Sequence, residues 1–295
     1  MDIVHHSLIG GVGLSIATAA GEPLLGVAFI VGSIFPDLDV LFILFGKRFY
    51  LRNHQGITHS LLLAPFFSIL LIAALFGFLS MDWNWLMVAV TLAGILLHIC
   101  LDWFNTFQVA LFSPLTHKRY SLDAVFFIDV MSLTLTLLFF VSYSYAGIEQ
   151  TIWIYPSAMI FYFVSKLLLQ RYVAHQLDAL NVIPSSFNPL VFFVLEKREN
   201  DLLGYTYNAL SGNKNNTVKY ETVDKRFIEL ANKSSVFNDM KKITRAFFIT
   251  SIEKTEQGTT ITAQDIAVRN FGGKFAKTEL KFDKNGMLLS EVANI

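Results

Sequence analysis

Residues 54–79 read HQGITHSLLLAPFFSILLIAALFGFL. Two imidazoles, His54 and His59, stand at the lip of a run that stays apolar for about 20 residues, the length a helix needs to cross a bilayer. Ionisable side chains are expensive at such a place, and those found there are functional candidates by default. The stretch sets two expectations. The chain is a polytopic helical membrane protein, and its chemistry gathers where apolar helices begin and end.

Composition widens the first expectation. Of the 295 residues 54% are hydrophobic and only 16% charged, against about 45–50% and about 25% in soluble domains. Twenty-three basic residues balance 23 acidic ones, which gives no global reason to expect a nucleic-acid partner. One cysteine, Cys100, excludes an internal disulfide framework and argues against a cysteine-based zinc site. The opening MDIVHHS has no Lys or Arg ahead of its apolar stretch, unlike a cleavable secretory signal.

The composition breaks near residue 175. Lys47, Arg48, Arg52, Lys118, Arg119, Lys166 and Arg171 are the basic residues before it; the rest of the 23 follow. Residues 1–175 are therefore expected to be membrane-embedded, 176–189 a linker containing the turn-prone NVIPSSFNP, and 190–295 a soluble domain. Spans are expected over 57–79, 83–104, 124–146 and 151–173. Two shorter helices flank Gly21-Glu22-Pro23, the second continuing past Pro36 with a kink, to make about six. The basic residues fall at one end of this bundle, whereas the opposite turns carry Glu22, Asp82 and Glu149. The positive-inside rule then puts the basic end and the C-terminal domain in the cytoplasm. Beyond residue 190 the period changes. VFFVLEK, LLGYTYNAL and TVKYETV read as strands, DKRFIELANKSSVFNDMKK as helical, and the remainder as strands joined by Gln-Gly and Asn-Gly turns. A C-terminal α+β domain with an antiparallel sheet is expected.

The ionisable residues of the bundle converge on its basic end. They are His5, His6, Asp37, Asp39, His54, His59, His98, Asp102, His117, Asp123 and Asp129. In LLHICLDWF, His98 and Asp102 are four apart and project from one helix face. Neutral imidazoles and carboxylates are the ligands that divalent metals accept. Each piece also has a plain structural reading. The His98–Asp102 pair can tie helices together, Asp37 and Asp123 can cap them, and His117 suits a headgroup-facing loop. Sharing one end of the bundle is what unlinked caps and ties would not require.

HSLIG at 6–10, FPDLD at 35–39, HQGITHS at 54–60, LLHICLDWFNTF at 96–107 and FSPLTHKRYSLDAVFFID at 112–129 resemble the YdjM/YfhP family, whose members are predicted membrane-bound, metal-dependent hydrolases of bacteria. The resemblance covers about residues 1–175. It implies family positions at His6, Asp37, Asp39, His54, His59, His98, Asp102 and Asp129, with Gln55 where the family usually has Arg. The expected function is a membrane-embedded, metal-dependent hydrolase acting on a lipid-like phosphoester or other ester through a metal-activated water. Its expected metal ligands are His6, Asp37, Asp39, His54, His59, His98 and Asp102. Asp39 or Asp129 would take the proton, and Lys118 and Arg119 would hold an anionic headgroup. Zinc is the first expectation, manganese or magnesium if carboxylates dominate. The rivals are a transporter-like ion path and a non-catalytic scaffold closed by a structural metal. A structural site has four protein ligands, and a catalytic one keeps a position open.

Overall fold

The structure is a computed structural model describing residues 2–79, 83–197, 201–221, 223–244, 246–256, 258–266 and 276–294. Asp82 and Gln257, assigned above to turns, lie outside these. The chain forms two compact units: Met1–Leu41, Asn53–Leu169 and Ser185–Pro189 make the first; Phe42–Arg52, Gln170–Pro184 and Leu190–Ile295 make the second.

The first unit is helical. Helix α1 (Ile3–Ala19) starts on Asp2, whose carboxylate accepts the His5 N–H, and turns at Gly21 (φ +81°) into α2 (Pro23–Ile34). Instead of a kinked α-helix beyond Pro36, the chain tightens into a 3-10 helix, Phe35–Phe45. Short α3 (Lys47–Asn53) and a 3-10 turn (Ile57–His59) precede α4 (Ala64–Leu79), so the apolar run enters its helix later than its hydropathy suggests. Helix α5 (Trp85–Trp103) follows, capped by Asn84. Then comes a loop in which Ala124 and Val125 both donate to the carbonyl of Phe104. That bonding, and the capping of α6 (Val130–Ala146) by Asp129, delay the helix expected from residue 124. Helices α7 (Ile148–Thr151) and α8 (Ile154–Leu177) complete the set; residues 42–45 of the 3-10 helix, 47–52 of α3 and 170–177 of α8 are counted in the second unit.

Among the described residues three helical stretches are long and apolar enough to cross a membrane: Pro23–Phe45, Trp85–Trp103 and Ile148–Leu177. A fourth would be the pair Lys47–His59 and Ala64–Phe78, bent by 92°. Helices α1 and α6, at 17 residues each, are shorter.

The core of this unit depends on close helix contact. A Cβ built on Gly32 of α2 would lie 2.2 Å from the Thr91 carbonyl oxygen of α5, and one on Gly94 of α5 would lie 2.4 Å from the Phe29 carbonyl oxygen of α2. Only glycine lets the two backbones touch, as at small-residue crossings of membrane helices. The segment Ser185–Pro189 is also bonded into this unit. The Ser186 carbonyl accepts the Val130 N–H at 2.9 Å, and buried Lys166 donates to the Pro189 carbonyl at 2.8 Å.

The second unit holds two four-stranded antiparallel sheets, β1-β2-β3-β4 (Asn181–Pro184, Val191–Lys197, Asp201–Asn208, Lys214–Glu221) and β5-β6-β7-β8 (Phe247–Thr255, Gly258–Asp265, Lys277–Asp283, Leu288–Asn294). Asn181–Pro184, read above as linker, is an edge strand, a position that tolerates its terminal proline. Helices α9 (Lys225–Ala231) and α10 (Ser235–Ile243) begin on Asp224 and Ser234 and bury Phe227, Phe237 and Met240 with Phe247, Ile261, Leu280 and Phe282. Gly286 (φ +75°) sits in the Asn-Gly turn between β7 and β8.

Candidate metal centre

Four elements of the first unit deliver side chains to one buried point. Helix α5 supplies His98 and Asp102, α1 supplies His6, the 3-10 helix supplies Asp37 and Asp39, and the 54–59 turn supplies His54 and His59. On a 3-10 helix, residues two apart point about 120° away from each other. Asp37 and Asp39 accordingly serve different partners.

His98 Nδ1 lies 2.6 Å from the Ser33 carbonyl oxygen. A carbonyl can only accept, so Nδ1 carries the hydrogen and Nε2 of the neutral ring is a lone pair. Thr58 Oγ1 lies 3.2 Å from Asp39 Oδ2 and 3.0 Å from His59 Nδ1. Its single hydrogen goes to the carboxylate, and it accepts from His59 Nδ1–H. His59 Nε2 is thereby also a lone pair, and it lies 3.2 Å from His98 Nε2. Around these two nitrogens stand Asp102 Oδ2, 3.3 Å from His59 Nε2, and Asp37 Oδ1, 3.5 Å from His98 Nε2. Asp37 Oδ2 is buried and has no hydrogen-bond partner. One ligand atom from each of Asp37, His59, His98 and Asp102 fits within 4.8 Å of the others, and His59, His98 and Asp102 are 0% exposed. Two facing lone pairs, two carboxylates and an orphaned oxygen make a set that a bound cation satisfies. The residues present fit a divalent metal ion.

The other expected ligands surround this group. His6 Nε2 donates to Asp102 Oδ1 at 3.0 Å, and its ring stacks on His98 at 3.6 Å. Asp39 accepts from His54 Nδ1 at 2.8 Å and from the Gln55 N–H at 2.7 Å. His6 and Asp39 lie outside the group of four and contact it, His6 at Asp102 and Asp39 with Oδ2 3.6 Å from His59 Nδ1. Gln55 holds a left-handed backbone (φ +51°) from which its side-chain amide also reaches Asp102 Oδ2 at 3.2 Å, so one residue bridges two carboxylates. The resemblance marks Gln55 only as a replacement for Arg. It misses this bridge, the Ser33 carbonyl and the Thr58 relay. The Thr in HQGITHS was the visible signal for the relay; a main-chain carbonyl gives none.

Three further expected residues lie outside the group of four. Asp129 caps α6 and receives the Tyr162 hydroxyl, 2.8 Å from each carboxylate oxygen. Arg119 donates to the carbonyls of Gln108 at 3.1 Å and His54 at 2.9 Å, tying loop to site; burial pulls its guanidinium below the ordinary value, which Asp39 opposes. Lys118 is exposed, its ammonium 5.2 Å from the centre of the Tyr120 ring.

A family model described as YdjM inner membrane protein matches residues 1–175, more than half of the chain and every residue of the centre. The chain belongs to the YdjM inner membrane protein family. This YdjM-family chain is 27% identical over 132 residues to the uncharacterised protein YfhP of Bacillus subtilis (strain 168), across 42% of its own length and 39% of that relative's. It thus spans about two-fifths of the relative it matches. No solved structure matches it.

Proposed function

We propose that this YdjM-family protein is a membrane-embedded, metal-dependent hydrolase. Asp37, His59, His98 and Asp102 would hold the ion, in a site at the cytoplasmic end of the bundle. The observation that carries the reading is the pair of imidazole lone pairs 3.2 Å apart beside an orphaned Asp37 oxygen, an arrangement that a divalent cation would join. A divalent ion, when bound, supplies Lewis acidity, acidifying water and polarising a phosphoryl or acyl oxygen. The chain's own residues do the rest. His6, Gln55 and Ser33 orient Asp102 and His98, while Asp39, which accepts from the partly exposed His54, would take the proton. A set of two imidazoles and two carboxylates suits zinc, and manganese or magnesium where water completes the shell.

In this reading α1, α2, α4, α5, α6 and α8 are six membrane helices of a domain over residues 1–175, and residues 190–295 are a cytoplasmic domain reached through 176–189. The substrate is a lipid-like phosphoester or ester of that leaflet, with Lys118 nearest the headgroups. A structural metal is the second reading, favoured by four protein donors and their near-complete burial.

Elemental analysis of purified protein, with a lipid phosphoesterase screen, separates the two. Wild type should retain about one equivalent of divalent ion, and Asp37→Asn and His98→Ala should lose it. Hydrolysis that disappears with the ion supports the enzyme. Retained ion with no turnover of any lipid supports the structural metal, and no ion in wild type overturns both.

A further inference from the structure

An apolar groove of about 480 Å³ opens along α1, α5 and α8 of the first unit. Its walls run from Ile9 to Ile16 on α1, from Leu97 to Phe104 on α5 and from Tyr155 to Val164 on α8. The wall's hydroxyl, on Tyr155, is engaged 3.0 Å from Thr136 Oγ1, which lies 3.4 Å from the buried His5 Nε2. Apart from the Cys100 thiol, no polar side chain of the lining is then offered to an occupant. The volume falls within the range of about 300–1,000 Å³ typical of small-molecule sites.

Two features identify what fills it. Helices α5 and α8 belong to stretches long and apolar enough to span a bilayer, and an unfilled apolar space along them forfeits dispersion contacts that a lipid chain would supply. The groove also begins at the level of the metal centre. On α5, Leu97 and Leu101 directly precede His98 and Asp102. On α1, Ile9 stands one turn beyond His6, and Ile16 is about 15 Å beyond it at about 1.5 Å per residue.

We propose that the groove is the slot for the hydrocarbon tail of the substrate, which makes that substrate a long-chain membrane lipid entering sideways from the bilayer. The proposal rests on the hydrolase reading for the word substrate, and on the groove alone for the tail. The headgroup ester lies at the four-residue centre, and the tail lies along α1 and α8 toward the membrane interior.

The test uses the full-length protein in phospholipid nanodiscs containing phosphatidylglycerol with a diazirine in one acyl chain. Photolabelling should concentrate on peptides bearing 97–104 and 155–164. Cys100→Trp and Met159→Trp, which fill the groove, should lose most of that labelling while metal content stays unchanged. Where a filled variant fails to fold, an alkyl methanethiosulfonate coupled to Cys100, the chain's single cysteine, blocks the groove of folded wild type and should have no effect on Cys100→Ser. Labelling spread equally over outward residues such as Leu70 and Leu138 would mean surrounding lipid only and would overturn the proposal. So would undiminished labelling of the blocked groove, or hydrolysis of a short-chain phosphoester as fast as of a long-chain lipid and indifferent to the block. Groove labelling without hydrolysis of any ester would instead remove the hydrolase reading and leave the tail slot standing.

Discussion

Gly94→Ala is the most informative single change, because one methyl group acts on the metal centre from outside it. The added Cβ would sit 2.4 Å from the Phe29 carbonyl oxygen and 2.9 Å from the Ser33 nitrogen, where ordinary contact begins at 3.4 Å. Helices α2 and α5 must separate by about 1 Å to admit it, and overpacking of this kind costs about 1–3 kcal/mol. The same movement carries Ser33 away from His98. A bond of 2.6 Å stretched by about 1 Å reaches about 3.6 Å, beyond hydrogen-bonding range. His98 then loses the acceptor that fixes its tautomer, and loss of such an outer partner typically lowers metal affinity about 10–100-fold. The assay is metal titration of purified protein beside a thermal melt in detergent. Gly77→Ala serves as control, since a Cβ there meets nothing within 4 Å. Gly94→Ala that binds metal as tightly as wild type, with the control equally unaffected, would refute the claim that the glycine crossing positions His98.

Three further outcomes are expected. Gln55→Ala removes the side-chain donor to Asp102 while keeping the main-chain donor to Asp39; it should cost about 1–3 kcal/mol in a denaturation series and weaken metal retention, whereas Gln55→Glu, placing another carboxylate beside Asp102, should be worse. Tyr162→Phe leaves the Asp129 cap in place but strips its hydroxyl donor, lowering stability by about 1–3 kcal/mol with metal content unchanged; a change in metal content would bring Asp129 into the centre. Lys118→Cys, introduced into Cys100→Ser, should react with an impermeant maleimide only from the cytoplasmic face of membrane vesicles, and labelling only from outside would invert the topology.

The sequence carried the class of the fold and the neighbourhood of the site for a physical reason. Hydropathy and clustered charge are local properties, and a bilayer forbids most other uses of imidazole in an apolar run. His98 and Asp102 could be paired from helix spacing alone. What stayed illegible depends on non-local backbone geometry. Helix α6 starts at Val130 because Ala124 and Val125 bond to Phe104, a partner about 20 residues away that no periodicity reveals. The two-residue spacing of Asp37 and Asp39 said that they face different ways. Which one would meet the imidazoles and which the 54–58 turn was decided by the 3-10 tightening after Pro36. Asn181–Pro184 carried turn-prone residues, and only its pairing with Val191–Lys197 makes it a strand.

The bonding of Ser185–Pro189 into the helical unit has a consequence for biosynthesis. Lys166 and its acceptor on Pro189 are 23 residues apart, a delay of about 1–5 s at about 5–20 residues translated per second. The N–H of Val130 waits longer still for Ser186. During that interval the nascent bundle holds an ammonium and an amide without their final acceptors, close to hydrocarbon. A chain ending just after α8 would lack both of these main-chain acceptors, so the helical unit reaches its final bonding only once residues 185–189 have been made.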